Sequence, residues 1–334
     1  MSFQRVKVLG TGIHLPEKIM TNYDFEKIVE TNHQWIFDRT GISERRISSG
    51  EAGEFNSDLA MHAANMAIKN SGIDPSEIDF ILYATCTRDQ PLPNTASLLQ
   101  RKLGLSNHCA CLDIEAACSG FIYGHAIAHS MVQTGVKKNV LVVGSEVLSR
   151  FINWADRQSC ILFGDGAGAM VIGIDNSKDS PPSPYGAVLE ADSTGAELIH
   201  VPVGGTNIPL TEENRSQNEH VIKLAGREVF KLATRTMAEN SKEALMQAGL
   251  TLNDVDWIIP HQANLRIIDA VAKKLEAPRE KIIINIEKYG NTSAATIPIA
   301  FHEAIADGRI KRGNIVLFTG FGAGVTSGSI VFKF

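Results

Sequence analysis

The order of apolar and polar runs predicts an α/β protein made of two similar halves. Short apolar runs bounded by Gly, Pro, Asn and Asp alternate with longer runs of helical periodicity along the 334 residues, the pattern of strands interleaved with helices. The chain also repeats itself. Ala67 to Leu82 reads as helix end, Gly72 cap, turn and buried strand, and Ala244 to Ile259, with Gly249 as cap, reads the same way. The match continues in register: Arg101–Leu105 with Lys273–Ala277, Thr134–Val143 with Asp307–Phe318, and Phe163–Gly168 with Phe321–Gly324. A period this long excludes a solenoid. It places a first half over residues 1–175 and a second over 176–334.

Strands are predicted at Val6–Gly10, Phe80–Ala84, Ala110–Ile114, Val140–Val143 and Ala169–Gly173, then at Trp257–Pro260, Lys281–Ile286, Ile315–Phe318 and Gly328–Phe332. Helices are predicted at Asp24–Glu30, Asp58–Asn70, Thr95–Leu103, Phe121–Thr134, Gly226–Gln247, Ile267–Leu275 and Ile297–Asp307. The stretch Asp175–Tyr185, with three prolines, reads as the connection between the halves.

Composition narrows the function classes. A net charge of −5, 44% hydrophobic and 21% charged residues describe an ordinary globular chain. Mild acidity argues against a general nucleic-acid binder, leaving room for a local basic patch. The five cysteines form no CxxC pair, so zinc and redox motifs are not expected; Cys109 and Cys111 read as packing residues. No metal site is expected. The N-terminus runs straight into a strand pattern, and no apolar run is long enough for a membrane helix. The expectation is a cytoplasmic protein without membrane insertion, in a reducing compartment that keeps a thiol available.

One thiol stands out. Cys118 follows the apolar run Cys111–Ile114 and precedes the helical run from Phe121, so it lies on a strand–turn–helix corner. The helix dipole and free N–H groups there favour thiolate. The second half offers a histidine and an asparagine just past buried strands: His261 in PHQAN and Asn291 in YGNTSAA. Equivalent loops of two similar halves face one another, so the three can converge. A thiolate forms and releases thioesters readily, and His and Asn side chains can both donate to one thioester oxygen. Glu115 reads as facing away or structural.

The chain resembles the β-ketoacyl-acyl-carrier-protein synthase III family of thiolase-fold condensing enzymes. The resemblance rests on DIEAACSGFIYG around Cys118, IPHQANLRIID around His261, YGNTSAATIP around Asn291, NHQWIFDRTGISERRI near the N-terminus, FGDGAGA and the closing GFGAG, and it runs from Val6 to Phe334. It implies a five-layered αβαβα architecture and a homodimer. It implies Cys118 as nucleophile with His261 and Asn291 as partners, acyl-CoA and a malonyl-loaded acyl carrier protein as substrates, and no cofactor. Backbone N–H groups of Cys118 and Ala323 become the second oxyanion hole, with alanine standing where glycine is common.

By the same resemblance, Trp35 and Arg157 flank the coenzyme A adenine, Arg39 meets its phosphates and Asn264 its pantetheine arm. Leu92 caps the acyl pocket across the dimer, with Phe163 and Phe321 also lining it. The basic residues Lys231, Arg266, Lys273 and Lys274, with the loop Gln262, Ala263, Asn264 and Leu265, are the expected docking face for an acidic carrier protein. Ser327 and Arg227 depart from the family pattern and leave the acyl preference open. A specialised synthase of secondary metabolism and a Cys-His-Asn thioester hydrolase are the alternatives. A degradative thiolase would need a second cysteine in the last glycine loop, and an elongating synthase a second histidine in place of Asn291.

Overall fold

The computed structural model describes residues 3–105, 108–177 and 183–334. Two sheets form its frame. The first comprises β1 (Val6–His14), β2 (Phe80–Ala84), β3 (Ala110–Ile114), β4 (Asn139–Val147) and β5 (Asp165–Ile174), in spatial order β1-β5-β4-β2-β3. The second comprises β6 (Tyr185–Ala191), β7 (Trp257–Pro260), β8 (Ile315–Gly322) and β9 (Thr326–Lys333), in order β6-β9-β8-β7. The senses agree as well. In the first sheet β1/β5 and β5/β4 are antiparallel and β4/β2 is parallel; in the second β6/β9 and β9/β8 are antiparallel and β8/β7 is parallel. The repeat in the sequence is a repeat of topology. The paired turn glycines match in backbone too, with φ 71° at Gly72 and 68° at Gly249, and 77° at Gly135 and 82° at Gly308.

Among the described residues, seven helices of eight residues or more cover and separate the sheets: α1 (His33–Thr40), α2 (Asn56–Ser71), α3 (Thr95–Leu103), α4 (Gly120–Gln133), α5 (Gly226–Gln247), α6 (Leu265–Leu275) and α7 (Thr296–Ala306). Helices α2 and α3 cover the outer face of the first sheet, and α5 and α6 the outer face of the second. Helices α4 and α7 lie between the sheets, where Phe121, Ile122, Phe301, Val142, Phe318 and Ile330 share one core. The result is five layers. Strand β4 is buried along nearly its whole length, which explains its apolar run Val140–Val143. The close seat of α2 on β1 requires glycine: a Cβ on Gly12 would lie 2.3 Å from the Ala63 carbonyl oxygen.

Some expected elements differ. Lys281–Ile286 is not a strand. Ile283 N–H reaches Ile258 O at 2.9 Å, but Asn285 N–H turns to Gln262 Oε1, so the ladder stops at one bridge, Ile258 to Ile282. The first predicted helix shrinks to Asn22–Phe25, because Thr21 and Asp24 form a capping box that makes Asp24 the third residue of the turn rather than its first. The connection expected over Asp175–Tyr185 lies partly outside the described residues, at 178–182, and Tyr185 already opens β6. Among the described residues no helix is long and apolar enough to cross a membrane.

Candidate active site

The corner carrying Cys118 is a 3-10 turn, Ala117–Ser119, between β3 and α4. Ala117 takes φ 45°, a left-handed geometry that a residue with a Cβ adopts only when its surroundings hold it. The closing glycine loop supplies part of that hold. A Cβ on Gly322 would lie 2.7 Å from Cys118 N and 3.2 Å from Ala116 O, so β8 ends against the cysteine's own backbone. Thr326 Oγ1 stitches the two loops, 2.8 Å from Ala116 O and 3.0 Å from Ala323 O. The positive φ of this loop falls on Gly324, at 123°, and not on Ala323, so alanine is accommodated there.

His261 follows β7 and is buried, with Nδ1 2.7 Å from Thr296 Oγ1. Thr296 Oγ1 also donates to Ser293 O at 2.9 Å. A carbonyl oxygen can only accept, so the one hydroxyl proton goes to Ser293 and the contact with the ring is an Nδ1–H donating to Oγ1. The resting tautomer therefore keeps a lone pair on Nε2. Burial pushes the imidazole down to about 3, so it is neutral near pH 7. Donation from Nε2 to a thioester oxygen needs the other tautomer, with the Thr296 proton turned toward Nδ1. Asn291 is oriented more simply. Its Oδ1 accepts from Ser293 N–H at 2.8 Å, which leaves the NH₂ group for the site.

All three predicted residues are thus tied to one turn, Ser293–Ala295, and Ser293 is its hub. Its N–H orients Asn291, its carbonyl orients Thr296 and through it His261, and its hydroxyl lies within hydrogen-bonding reach of the Cys118 thiol. That hydroxyl donates to Glu146 Oε1 at 3.1 Å. Neither Ser293 nor Glu146 stood out in the sequence. The available signal was a lone glutamate inside the apolar run of β4.

The electrostatics correct one expectation. The corner was expected to favour thiolate, yet the half-buried Cys118 thiol is pushed up to about 12, first by burial and then by the Glu146 and Glu115 carboxylates. Glu115 does not face away in the electrostatic sense. Burial and the Glu146 charge push its own carboxyl up to about 7. A thiol in this setting must lose its proton in the course of attack, and the Nε2 lone pair of His261 is a base of the right kind.

Comparison with known proteins gives the family. The family profile described as "3-Oxoacyl-[acyl-carrier-protein (ACP)] synthase III" matches residues 112–196, and that of its C terminal part matches residues 245–334. The chain is 48% identical over 98% of its length to the beta-ketoacyl-[acyl-carrier-protein] synthase III of Caldanaerobacter subterraneus subsp. tengcongensis, covering 97% of that protein. The chain belongs to the 3-oxoacyl-[acyl-carrier-protein] synthase III family. The corresponding protein of Clostridioides difficile is 46% identical, with 98% of this chain and 97% of that one covered. The solved 3-oxoacyl-[acyl-carrier-protein] synthase III of Aquifex aeolicus VF5 superposes with TM-score 0.89 at 43% identity, over 98% of this chain and 100% of that one.

In this synthase III chain three of the four residues expected at the coenzyme A handle lie together. The Arg39 guanidinium carbon is 4.4 Å and that of Arg157 5.2 Å from the centre of the Trp35 ring. Arg157 is held by a bond to Glu30 O at 3.0 Å. An aromatic base between Trp35 and Arg157 needs about 3.5 Å on each side, so the pair must open to take one. Asn264 caps α6, accepting from Arg266 N–H and donating to Arg39 O, and so locks α6 to the end of α1.

Gln262 is a correction. It is 1% exposed, donates to Pro260 O and Ile283 O, and accepts from Asn285 N–H. A side chain so enclosed holds the His261 loop and cannot touch a docked protein. Ala263 packs into the core between α5 and α6, and Leu265 lies against Gly41. Lys231, Arg266, Lys273 and Lys274 are exposed; Arg266 also donates to Asp38 O. Phe163 packs with Cys86 and Leu162, and its backbone bridges to Asn291. Phe321 packs with Met237, Ile267 and Val325, on the α5–α6 face of the second sheet. Leu92 is 84% exposed.

Proposed function

We propose that the chain joins an acyl-CoA to a malonyl group carried on acyl carrier protein, through an acyl-Cys118 intermediate and with loss of carbon dioxide, giving a 3-oxoacyl carrier protein that starts fatty-acid synthesis. The observation that carries this reading is the common suspension of Cys118, His261 and Asn291 from the turn at Ser293. In the first half-reaction Cys118 gives its proton to His261 Nε2 as sulfur attacks the thioester carbonyl. The carbon–sulfur bond to coenzyme A breaks, and the leaving thiolate takes the proton back. Backbone N–H groups of Cys118 and Ala323 hold the tetrahedral oxyanion.

In the second half-reaction His261 works as its other tautomer, Nε2 having taken a proton from solvent and Nδ1 having given its own up to solvent; the Thr296 hydroxyl then turns to donate to Nδ1, and His261 Nε2–H and the Asn291 NH₂ both donate to the malonyl thioester oxygen. Carbon dioxide leaves, the enolate is held by these two donors, and it attacks the acyl-cysteine carbonyl; the carbon–sulfur bond to Cys118 breaks, and the released thiolate takes up a proton from solvent. Decarboxylation supplies the carbanion, so the reaction calls on no cofactor. Trp35, Arg39, Arg157 and Asn264 serve the coenzyme A handle, and Lys231, Arg266, Lys273 and Lys274 meet the acidic carrier. The enzyme works in the cytoplasm as a homodimer, in which the exposed Leu92 of each subunit closes the acyl pocket of its partner, a pocket that Phe163 and Phe321 line.

Intact mass after incubation with acetyl-CoA tests the reading. Wild type should gain one acetyl group on Cys118, and Cys118→Ala none. Addition of malonyl carrier protein should discharge it as 3-oxoacyl carrier protein. Net hydrolysis without condensation would point to a thioester hydrolase instead.

A further inference from the structure

Arg45 is fully buried on the short strand Glu44–Arg46, and the mechanism above does not use it. Its guanidinium lies over the Phe25 ring, 4.5 Å from the centre. Nη1 donates to Asn22 Oδ1 at 2.9 Å and to Met20 O at 3.3 Å, and Nη2 donates to Ile161 O at 2.5 Å. Among the described residues it forms no ion pair, and Glu44 acts on it only through space. Burial pushes the guanidinium down to about 9, so it is still charged near pH 7. Burying a charge without a counter-ion costs stability, so packing alone does not account for an arginine here.

What the arginine grips leads to Asn291. Ile161 opens the strip Ile161–Gly164, and the backbone of Asn291 hangs from that strip on both sides. Asn291 N–H donates to Leu162 O at 2.9 Å, and Asn291 O accepts from Gly164 N–H at 3.0 Å. The approach is close enough to require glycine on each side. A Cβ on Gly290 would lie 2.8 Å from Leu162 O, and one on Gly164 would lie 2.3 Å from Tyr289 O. The same two positions come within 3.5 Å and 3.1 Å of Arg45 Cβ, so the arginine stem lies against both sides of the junction. Its fork then holds the strip at Ile161. We propose that Arg45 is a positioning residue for Asn291: its guanidinium pins the strip from which Asn291 hangs, and so sets how far the Asn291 NH₂ reaches into the site. The inference rests on Asn291 being a donor to the malonyl thioester oxygen, as proposed above. Cys118 is held from another direction, by the Gly322 and Thr326 contacts, so the two sides of the site have separate supports.

A double-mutant cycle tests this, read in single-turnover decarboxylation of malonyl carrier protein at saturating carrier and well below every melting temperature. Arg45→Met keeps the bulk of the side chain and removes the fork. It should slow decarboxylation about tenfold when Asn291 is present, because a small misplacement of a reacting group costs rate steeply. In the Asn291→Ala background, where the donor is already gone, the same change should cost less than about twofold. A residue that only braces the fold would lower the melting temperature and slow both backgrounds by one factor. Equal factors in the two backgrounds, or no slowing when Asn291 is present, overturn the inference alone. Where Arg45→Met does not fold, Arg45→Lys decides by the same cycle, since it keeps the charge and loses the planar fork. Decarboxylation by Asn291→Ala at the wild-type rate would instead refute the donor role of Asn291, and this inference with it; that result is read with Arg45 in place.

Discussion

The Thr296 hydroxyl stands between His261 Nδ1 at 2.7 Å and Ser293 O at 2.9 Å, with one proton to give. Its direction decides whether His261 Nε2 accepts or donates, and the two half-reactions need opposite answers. Replacing Thr296 by the isosteric valine removes this switch and leaves Nδ1 without its partner. Decarboxylation of malonyl carrier protein should slow about tenfold, the worth of roughly one hydrogen bond. Single-turnover rates of acylation and decarboxylation for Thr296→Val check this, and wild-type rates in both would show that the tautomer is set elsewhere.

Asn291 and His261 should separate in the same assay. Asn291→Ala should slow decarboxylation by about 10²–10³-fold, the usual cost of one oxyanion donor, with a much smaller effect on acylation of Cys118. His261→Ala should slow both, because His261 serves as base in one half and donor in the other. Equal losses in both halves for Asn291→Ala would remove it from the donor role.

The acyl preference should turn on Leu92. It is 84% exposed in its own chain, and in the proposed dimer it closes the partner's pocket. Leucine leaves more room than phenylalanine, so acyl-CoAs of four carbons or more, branched ones included, should be accepted beside acetyl-CoA. One methylene in an apolar pocket is worth about 1–3 kcal/mol, so preferences of roughly 10–200-fold are expected. Leu92→Phe should shift kcat/KM toward acetyl-CoA and Leu92→Ala toward longer chains. A chain-length profile unmoved by both assigns the pocket floor to another residue.

Acid should unfold the protein partly through His125. It lies on α4 between the sheets, its ring centre 4.9 Å from that of Phe332, with both ring nitrogens unpartnered among the described residues. Burial, and then the neighbouring His129, pushes it down to about 3. The unfolded chain binds this proton near pH 6.5 and the folded one does not, so stability falls as pH drops from 6.5 toward 3, by about 1.4 kcal/mol per unit. His125→Leu removes that loss. Its stabilising effect in urea unfolding should be about 2 kcal/mol larger at pH 5 than at pH 8, and an equal effect at both would contradict the assignment.

Gln262 and Arg266, four residues apart, should give opposite phenotypes. Gln262→Ala leaves buried backbone groups without partners and should cost about 1–3 kcal/mol of stability. Arg266→Ala should leave the melting temperature nearly unchanged and raise KM for the carrier protein, most at low salt. A Gln262→Ala protein of normal stability and weakened carrier affinity would restore Gln262 to the docking face.

The α/β class, the duplicated order of strands and the three residues tied to the turn at Ser293 were all legible in the sequence. Each is written in local pattern: apolar runs with their turn glycines, a cysteine at a strand–helix corner, a histidine and an asparagine just beyond buried strands. Only the tertiary structure decided which proton sits where. Glu146 is on β4, Thr85 and Cys86 follow β2, and Ser293 precedes α7, so no segment of sequence shows that they share a hydrogen-bond shell. The raised thiol of Cys118, the resting tautomer of His261 and the enclosure of Gln262 follow from desolvation and from donors and acceptors that the fold brings together from separate elements. A strand pattern cannot report this. The same limit explains the failed strand at Lys281–Ile286: its apolar run is real, but Gln262 takes the N–H that the next rung of the ladder needs.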